Sequence, residues 1–256
     1  MSTRPAKNKS ATQPAARAKP RSPTRTQAPP DAKAAVEAAA PIPRVFRRKR
    51  AAPQATATTL TRAVTGDPTA PDLSQLPLAQ ITLASLPPRA LIAANFRAYE
   101  LTQSELATRR GIANGFESEQ HLRSAIHLAR QVLQPVRDAL GAFTPNSVYR
   151  SQALERALKN KPATWLSTSQ HTRGEACDIE IVGMPTLALA AWVRDHLPDY
   201  DQIICECHDP RQGPNSGWVH VSLKAPGQGS NRRQCLSYVP DANGRLVYVA
   251  GLQAVA

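Results

Sequence analysis

The sequence lacks both a secretory signal and any long apolar run. The first ten residues, MSTRPAKNKS, carry charge, and no apolar segment follows them as it would in a signal peptide. No stretch approaches the ~18 apolar residues that a membrane-spanning helix needs. We therefore expect no membrane span and no export by the usual secretory route.

Cysteines are few, and none shows the paired CxxC spacing that is typical of thiolate metal sites. The four are Cys177, Cys205, Cys207 and Cys235. Disulfides need an oxidising compartment, and no export signal is evident. We therefore interpret these residues as small, reduced, buried thiols, with a cysteine zinc site as the alternative.

Aromatic residues make up only 5% of the chain, and the charge is unevenly spread. All three Trp, all five Tyr and three of the four Phe lie beyond residue 90. Residues 1–60 instead hold 13 Lys or Arg and two acids, so only +2 of the net +13 belongs to residues 61–256. A basic, Pro- and Ala-rich segment with almost nothing to bury cannot offset its ordering entropy. The sequence therefore predicts a disordered basic tail over 1–60.

Within the tail, VFRRKR at 45–50 stands out. It is either a solvated basic stretch or an anchor for nucleic acid, an acidic protein or an anionic envelope surface. The tail has no interleaved aromatics for base stacking, so any nucleic-acid binding would be non-specific. Residues 61–90 contain Pro and Leu, and we predict a linker or docking strap that lies over a partner in extended form. The folded domain is then expected over 91–256.

Beyond residue 90 the apolar pattern predicts helices first and strands later. Helices are predicted over 103–110, 118–140, 151–159 and 185–196, with Pro135 interrupting the second. Strands are predicted over 144–149, 178–182, 200–207, 218–223, 234–239 and 245–250, the last two as a hairpin. This order favours an α+β domain with a small, mostly antiparallel sheet, flanking helices and a cleft.

Two segments place potential metal ligands close together. In SQHTRGEACD, His171 lies on a predicted loop and Asp178 at the entry of a strand. In WVHVS, alternation buries the two valines and turns His220 to the opposite face. Two imidazoles and one carboxylate leave a fourth tetrahedral position for water, as a catalytic zinc site needs. Either histidine alone is typical of an ordinary core or loop residue, and only the joint pattern indicates a metal cleft.

These segments resemble the zinc D-alanyl-D-alanine carboxypeptidase and L-alanyl-D-glutamate endopeptidase family, which includes phage enzymes that cut peptidoglycan peptides. The family's pattern SxHxxGxAxD is fully matched, and WVHVS follows in the expected order. Further matches are VYRS at 148–151, LQPVR at 133–137 and YDQIICE at 200–206. The resemblance covers about residues 95–224. It implies a zinc ion held by His171, Asp178 and His220.

The resemblance also implies catalytic roles. In many relatives an acid lies three positions before the second histidine, where this sequence has Gly217. Glu206 matches the family's FDQxIxE strand and is the predicted general base, with Asp209 and His208 as alternatives. By resemblance, Arg150 would hold a substrate carboxylate or the developing oxyanion through its forked donors.

Ser169 and Gln170, beside the first histidine, are predicted to line the substrate cleft. The predicted function is a zinc peptidase that cleaves peptidoglycan stem peptides or cross-links. The alternative is a structural or attachment component of a phage particle with an auxiliary or inactive peptidase domain, an option that Gly217 leaves open. Residues 1–90 are the predicted contact to a phage tail or capsid. The expected location is the host cytoplasm with delivery to the cell wall, or the virion.

Overall fold

The computed structural model describes residues 70–241 and 243–253. The helices in this part of the chain are α1 (Glu105–Arg110), α2 (Glu119–Leu128), α3 (Gln134–Leu140), α4 (Gln152–Lys159) and α5 (Thr186–His196). The strands are β1 (Leu91–Ala93), β2 (Phe96–Arg97), β3 (Ala176–Ile179), β4 (Gln202–Glu206), β5 (Trp218–Ser222), β6 (Gln234–Pro240) and β7 (Leu246–Ala250). None of these helices is long and apolar enough to cross a bilayer.

The larger sheet has five strands in the order β3–β5–β4–β6–β7, and β1 pairs with β2 in a small antiparallel sheet. The larger sheet is mixed, because β4 and β6 are parallel while the other neighbouring strands are antiparallel. The parallel pair arises because the connection after β5 passes β4 before β6 begins. The predicted α+β class is confirmed, and so is the hairpin, which β6 and β7 form.

The two faces of the larger sheet differ in chemistry because successive side chains alternate. One face is apolar and packs with residues of α2 and α5 in the main core; its buried members are Cys177, Ile179, Ile203, Cys205, Val219 and Val221. The other face presents Asp178 from β3 and His220 from β5. The hydrophobic core thus lies directly behind the strands that carry these two polar side chains.

α2 and α3 belong to one helical segment, which a wide π-helical turn at Ala129–Leu133 interrupts. Pro135 lies at the start of α3. A proline has no N–H to donate, and its ring clashes with the carbonyl four residues earlier in a regular α-helix. The wide turn relieves that clash, so the predicted interruption at Pro135 is confirmed. The segment ends at Leu140, where the helix was predicted to end, and Gly141 caps it.

α4 begins at Gln152, two residues after Arg150. Ser151 caps it, because the Ser151 hydroxyl accepts a hydrogen bond from the backbone N–H of Leu154 at 3.2 Å. The buried face of α4 carries Leu154, which packs against Leu106 and Ala107 of α1. The predicted helix at 151–159 is confirmed to within one residue, and its cap fixes the backbone at the position of Arg150.

Two strand predictions need correction. Residues 144–149 form no strand, and Pro145 removes a ladder donor from that segment. What remains is one isolated bridge between Ser147 and Asp178, with a hydrogen bond of 2.8 Å. β3 spans Ala176–Ile179 rather than 178–182, because its pairing stops where Ile179 meets the first residues of β5. Asp178 therefore lies inside its strand and not at the entry.

Residues 71–90, predicted as part of a linker or strap, lie against the domain. Ile81 is completely buried in the main core, and four leucines of the segment pack on that core. The Arg130 guanidinium donates to three backbone carbonyls at 2.6–2.9 Å, those of Leu73, Leu76 and Ile92. Residues 71–90 thus pack against residues on the other side of the domain boundary that was predicted at residue 91. The predicted tail and the cluster at 45–50 lie outside the described residues.

Candidate metal centre

His171 lies on a single helical turn, Gln170–Arg173, that ends at Gly174. Its imidazole is buried, and Nδ1 is 2.7 Å from the backbone carbonyl oxygen of Val148. Since a carbonyl only accepts, Nδ1 carries the proton and Nε2 presents its lone pair to the site. Burial, together with the charge of Arg150, lowers the pKa of His171. The neutral ring that results is the form that binds metals.

Gly174 holds the turn of His171 against α2. Its φ is +70°, in the left-handed region. A Cβ at this position would lie 2.4 Å from the backbone carbonyl oxygen of His121. Both the conformation and the close approach therefore require glycine here, which explains the glycine of the SxHxxGxAxD pattern in physical terms.

Asp178 and His220 face each other across neighbouring strands. They are direct partners in the register of β3 and β5, and Asp178 Oδ1 is 3.1 Å from His220 Nδ1. Asp178 is 5% exposed and His220 is 8% exposed. Ile204 of β4 is the next residue in the same cross-strand row, so the pair has an apolar neighbour on the far side of β5.

The three predicted ligands come together as a compact triangle of donor atoms. His171 Nε2 is 3.2 Å from both His220 Nδ1 and Asp178 Oδ1, and the third side of the triangle is 3.1 Å. Donors held at about 2.0–2.1 Å by a tetrahedral metal ion stand about 3.3 Å apart. The cluster fits such an ion in spacing, donor chemistry and burial, so these three residues can hold a metal.

Arg150 lies on the outer side of Asp178. Its Nη2 donates to Asp178 Oδ2, its Nη1 to Glu155 Oε1 at 3.3 Å and its Nε to Ser147 Oγ at 2.7 Å. Burial disfavours the Asp178 carboxylate, but His171 and Arg150 outweigh it and hold the pKa of Asp178 well below its usual range. All three guanidinium nitrogens therefore donate within the protein. A role for Arg150 toward substrate stays a prediction, whereas its contact with Asp178 is direct.

Sequence reasoning missed Glu155, which supports Arg150 from α4. Glu155 is completely buried, and its second oxygen accepts from Lys159 Nζ at 2.6 Å and from Ser167 Oγ at 2.8 Å. Burial opposes ionisation, but Arg150 and Lys159 lower the pKa of Glu155 to about 2. The only signal in the sequence was the i,i+4 spacing of Glu155 and Lys159. This spacing is common on exposed helix faces, so it did not indicate a buried ion pair beside the metal centre.

Glu206 is the last residue of β4. It pairs with Trp218 of β5 and Tyr238 of β6. Alternation places it on the same face as Ile204, the β4 partner of His220. Glu206 is half-buried, and burial raises the pKa of its carboxyl to about 7, against the opposing effect of His220. The predicted base therefore lies two residues further along β4 than Ile204, the residue that pairs with His220.

The alternative bases, His208 and Asp209, lie in the loop after β4 and are engaged there. The two Asp209 oxygens accept from Arg211 Nε and Gln212 Nε2, each at 2.9 Å. These hydrogen bonds lower the pKa of Asp209 to about 2. His208 Nδ1 is 3.2 Å from the carbonyl oxygen of Ser216. These contacts favour Glu206 over both alternatives.

Position 217 has no space for an acidic side chain in this structure. The φ of Gly217 is +73°, and a Cβ there would lie 2.1 Å from the carbonyl oxygen of Glu206 and 2.7 Å from the backbone nitrogen of His208. The backbone that follows β4 thus occupies the space that a side chain at position 217 needs. An acid at this position would require the loop after β4 to take another path.

Gln170 and Ser169 have partners outside the donor triangle. Gln170 Nε2 donates to Asp201 Oδ2 at 2.9 Å, just before β4 and at the opposite end of that strand from Glu206. Ser169 is half-buried, and its carbonyl oxygen accepts from the N–H and the hydroxyl of Thr172 at 3.0 and 2.7 Å. Both residues thus have structural contacts, and the substrate-lining role stays a prediction.

A buried triangle of two imidazoles and one carboxylate in an α+β domain defines a candidate metallohydrolase. A family model described as Peptidase M15 matches residues 94–222, which is half of the chain and includes the triangle and Glu206. The chain belongs to the Peptidase M15 family. No curated protein and no solved structure matches it. β6 and β7 lie beyond the matched residues.

Proposed function

We propose that this chain is a zinc-dependent peptidase that cleaves peptide bonds in peptidoglycan stem peptides or cross-links. The observation that carries the proposal is the triangle of His171 Nε2, Asp178 Oδ1 and His220 Nδ1, with sides of 3.1–3.2 Å. Membership of the Peptidase M15 family supports hydrolysis of a peptide bond. The resemblance to D-alanyl-D-alanine carboxypeptidases and phage endopeptidases supports peptidoglycan as the substrate class.

Zinc is the metal that this donor set suits, because two imidazoles and one carboxylate are typical catalytic zinc ligands and leave one position open. Bound there, zinc would supply a water of lowered pKa and would polarise the scissile carbonyl. Other residues of the protein hold the metal-binding side chains in position. The Val148 carbonyl orients the His171 ring, and Arg150 holds the outer oxygen of Asp178. Such outer contacts keep metal donors in their binding geometry.

Glu206 is the proposed acid–base residue. Its carboxylate would accept a proton from the attacking water and return that proton to the leaving amine. Burial raises the pKa of its carboxyl, which makes it a better proton acceptor than an ordinary glutamate. Trp218 and Tyr238 are its cross-strand neighbours, and Tyr238 stacks on Tyr248 with ring centroids 4.4 Å apart. These aromatic side chains give the proposed base an apolar flank, which sustains its raised pKa.

Zinc content measured together with wall digestion tests the proposal. The wild-type protein should carry about one zinc per chain and release peptides from purified peptidoglycan. His171→Ala should lose both properties, because the metal loses one of three protein donors. His196→Ala is the matched control, since His196 is exposed at the end of α5 and stacks on Trp192. Absence of stoichiometric zinc in the wild-type protein after zinc addition would contradict the proposal.

We also propose that the N-terminal residues carry the domain to the wall as part of a phage tail or capsid. The basic run at 45–50 and the net charge of residues 1–60 support an attachment role. Residues 71–90 already pack on the domain, so docking is assigned to the residues before them. Simple attraction to an anionic envelope should weaken with ionic strength, because exposed charges are screened over ~8 Å at physiological salt. Docking that buries Phe46 should persist at high salt.

A further inference from the structure

The buried carboxylate of Glu155 has no part in the chemistry described above. It is 0% exposed, and four side chains meet at this point: those of Arg150, Lys159, Ser167 and Glu155 itself. Burying an ionised carboxylate is costly unless it is paired and hydrogen-bonded. A carboxylate with three donors meets that condition, and the donor that leads toward the metal centre is Arg150.

Arg150 is held on all three branches of its guanidinium. Nε donates to Ser147 Oγ at 2.7 Å, Nη1 to Glu155 Oε1 at 3.3 Å, and Nη2 to Asp178 Oδ2. The backbone N–H of Arg150 also donates to the carbonyl of His171 at 3.1 Å. Because the guanidinium is planar and its donors are fixed in a fork, contacts on two branches determine where the third branch points.

The two oxygens of Asp178 therefore have different partners. Oδ2 accepts from Arg150, while Oδ1 lies 3.1–3.2 Å from His220 Nδ1 and His171 Nε2. Arg150 thus holds Oδ2 on the outer side of Asp178, and Oδ1 is the oxygen that lies in the donor triangle. The carboxylate can thus offer one oxygen to an ion in the triangle, and the second oxygen stays outside.

We infer that Glu155 is a positioning residue that acts through Arg150 to keep Asp178 a one-oxygen metal ligand. The inference rests on the proposed zinc site. Its consequence is a coordination position that stays open for water, as a catalytic site needs and a closed structural site does not. Without Glu155 the guanidinium loses its charged anchor, and Asp178 Oδ2 becomes available as a second metal ligand.

Cobalt in place of zinc provides a readout that does not depend on turnover, since Co²⁺ with four ligands absorbs visible light more strongly than Co²⁺ with five or six. The full-length protein loaded with Co²⁺ should show the strong spectrum. Glu155→Gln should show a weaker one, and its Co²⁺ affinity, measured against a competing chelator, should fall by roughly 10–100-fold. Glu175→Gln is the matched control, because Glu175 is equally buried at 2% exposure and paired with one arginine, Arg173, at 2.8 Å. It should keep the wild-type spectrum.

Arg150→Lys provides a second test of the inference if Glu155→Gln does not fold. A single ammonium cannot reach Ser147, Glu155 and Asp178 together. It should show the same weaker spectrum. Wild-type spectra and affinities in both variants, or in the one that folds, would overturn the inference while leaving the zinc site standing. No binding of Co²⁺ or zinc by the wild-type protein would instead overturn the proposed function.

Discussion

The carbonyl oxygen of Glu206 occupies the place where a side chain at Gly217 would begin. A Cβ at position 217 would lie 2.1 Å from that oxygen. The backbone of the residue that we propose as the base therefore leaves no room for a side chain at Gly217. The loop after β4 is packed so tightly against the start of β5 that the two positions cannot both carry carboxylates in this arrangement.

Gly217→Ala is expected to destabilise the protein strongly, because the new Cβ meets backbone atoms and the φ of +73° is strained for alanine. We expect a loss of about 3 kcal/mol or more in the free energy of unfolding, measured by urea titration. Gly183→Ala is the control, since its φ is +84° but nothing lies within 4 Å of the added Cβ. This variant should lose only about 1 kcal/mol in the free energy of unfolding, from the backbone strain alone. Equal losses in the two variants would show that the close contact is relieved at no cost.

Glu206→Gln is expected to keep one zinc per chain but to lower the turnover of peptidoglycan peptides by a factor of roughly 100 or more, the range for a removed acid–base group. Glu180→Gln serves as a control for the same chemical change, because Glu180 is exposed beside β3 and binds Asn146 at 2.7 Å. Near-normal turnover in Glu206→Gln would move the role to another group, with His208 and Asp209 as the next residues to change.

The raised pKa of Glu206 predicts a specific pH dependence of stability in the zinc-free protein. The folded protein holds the Glu206 proton up to pH about 7, whereas the unfolded chain releases it near 4.5. Below pH 4.5 both states are protonated and the group carries no penalty. As the pH rises from 4.5 to 7, folding must retain a proton that the unfolded chain gives up, so stability falls.

Comparison with Glu206→Gln isolates this effect, because glutamine does not titrate. Relative to the variant, the wild-type protein should lose on the order of 3 kcal/mol between pH 4.5 and 8, measured by denaturant unfolding in the presence of a chelator. A stability difference that stays constant across this pH range would show that Glu206 has an ordinary pKa.

Two truncations distinguish the tail from the packed segment. Removing residues 1–69 should leave the melting temperature and the hydrolysis of soluble wall peptides unchanged. Removing residues 1–90 also removes Ile81 from the core and two of the three carbonyls bound by Arg130. We expect it to cost about 3 kcal/mol or more of stability. If both truncated proteins melt at the wild-type temperature, the contacts of residues 71–90 contribute nothing to folding.

The sequence was sufficient to predict the donor triangle because two matched segments carry all three ligands in a fixed order. Alternation in WVHVS fixes the face of His220, and the pairing of β3 with β5 brings Asp178 directly opposite. Gly174 marks the end of the turn that carries His171. The alternation and the glycine turn are encoded within a few residues of each histidine. The pairing of β3 with β5 is not, and the meeting of the three ligands was predicted from the joint pattern and its resemblance to the zinc peptidase family.

The features that escaped prediction depend on packing between distant segments. The burial of Glu155 follows from the placement of α4 against the metal centre, which no local pattern expresses. The parallel pairing of β4 with β6 depends on the path of the chain after β5. Residues 71–90 contain Pro and scattered Leu, and this composition suits a linker as well as a segment that packs on a helix. Their placement depends on distant residues, among them Arg130, which binds the carbonyls of Leu73 and Leu76 from more than fifty residues away along the chain.

The contacts of Arg130 also have a consequence for the order of events during synthesis. Leu73 and Leu76 leave the ribosome first, yet the guanidinium that binds their carbonyls is 57 and 54 residues further along the chain. At about 5–20 residues per second, roughly 3–11 s pass before Arg130 is synthesised and can donate to those carbonyls. The two hydrogen bonds that hold the early segment can therefore form only after Arg130 has been synthesised, and Asp178 and His220 are translated later still. Translation speed through residues 73–130 should consequently affect the yield of folded protein.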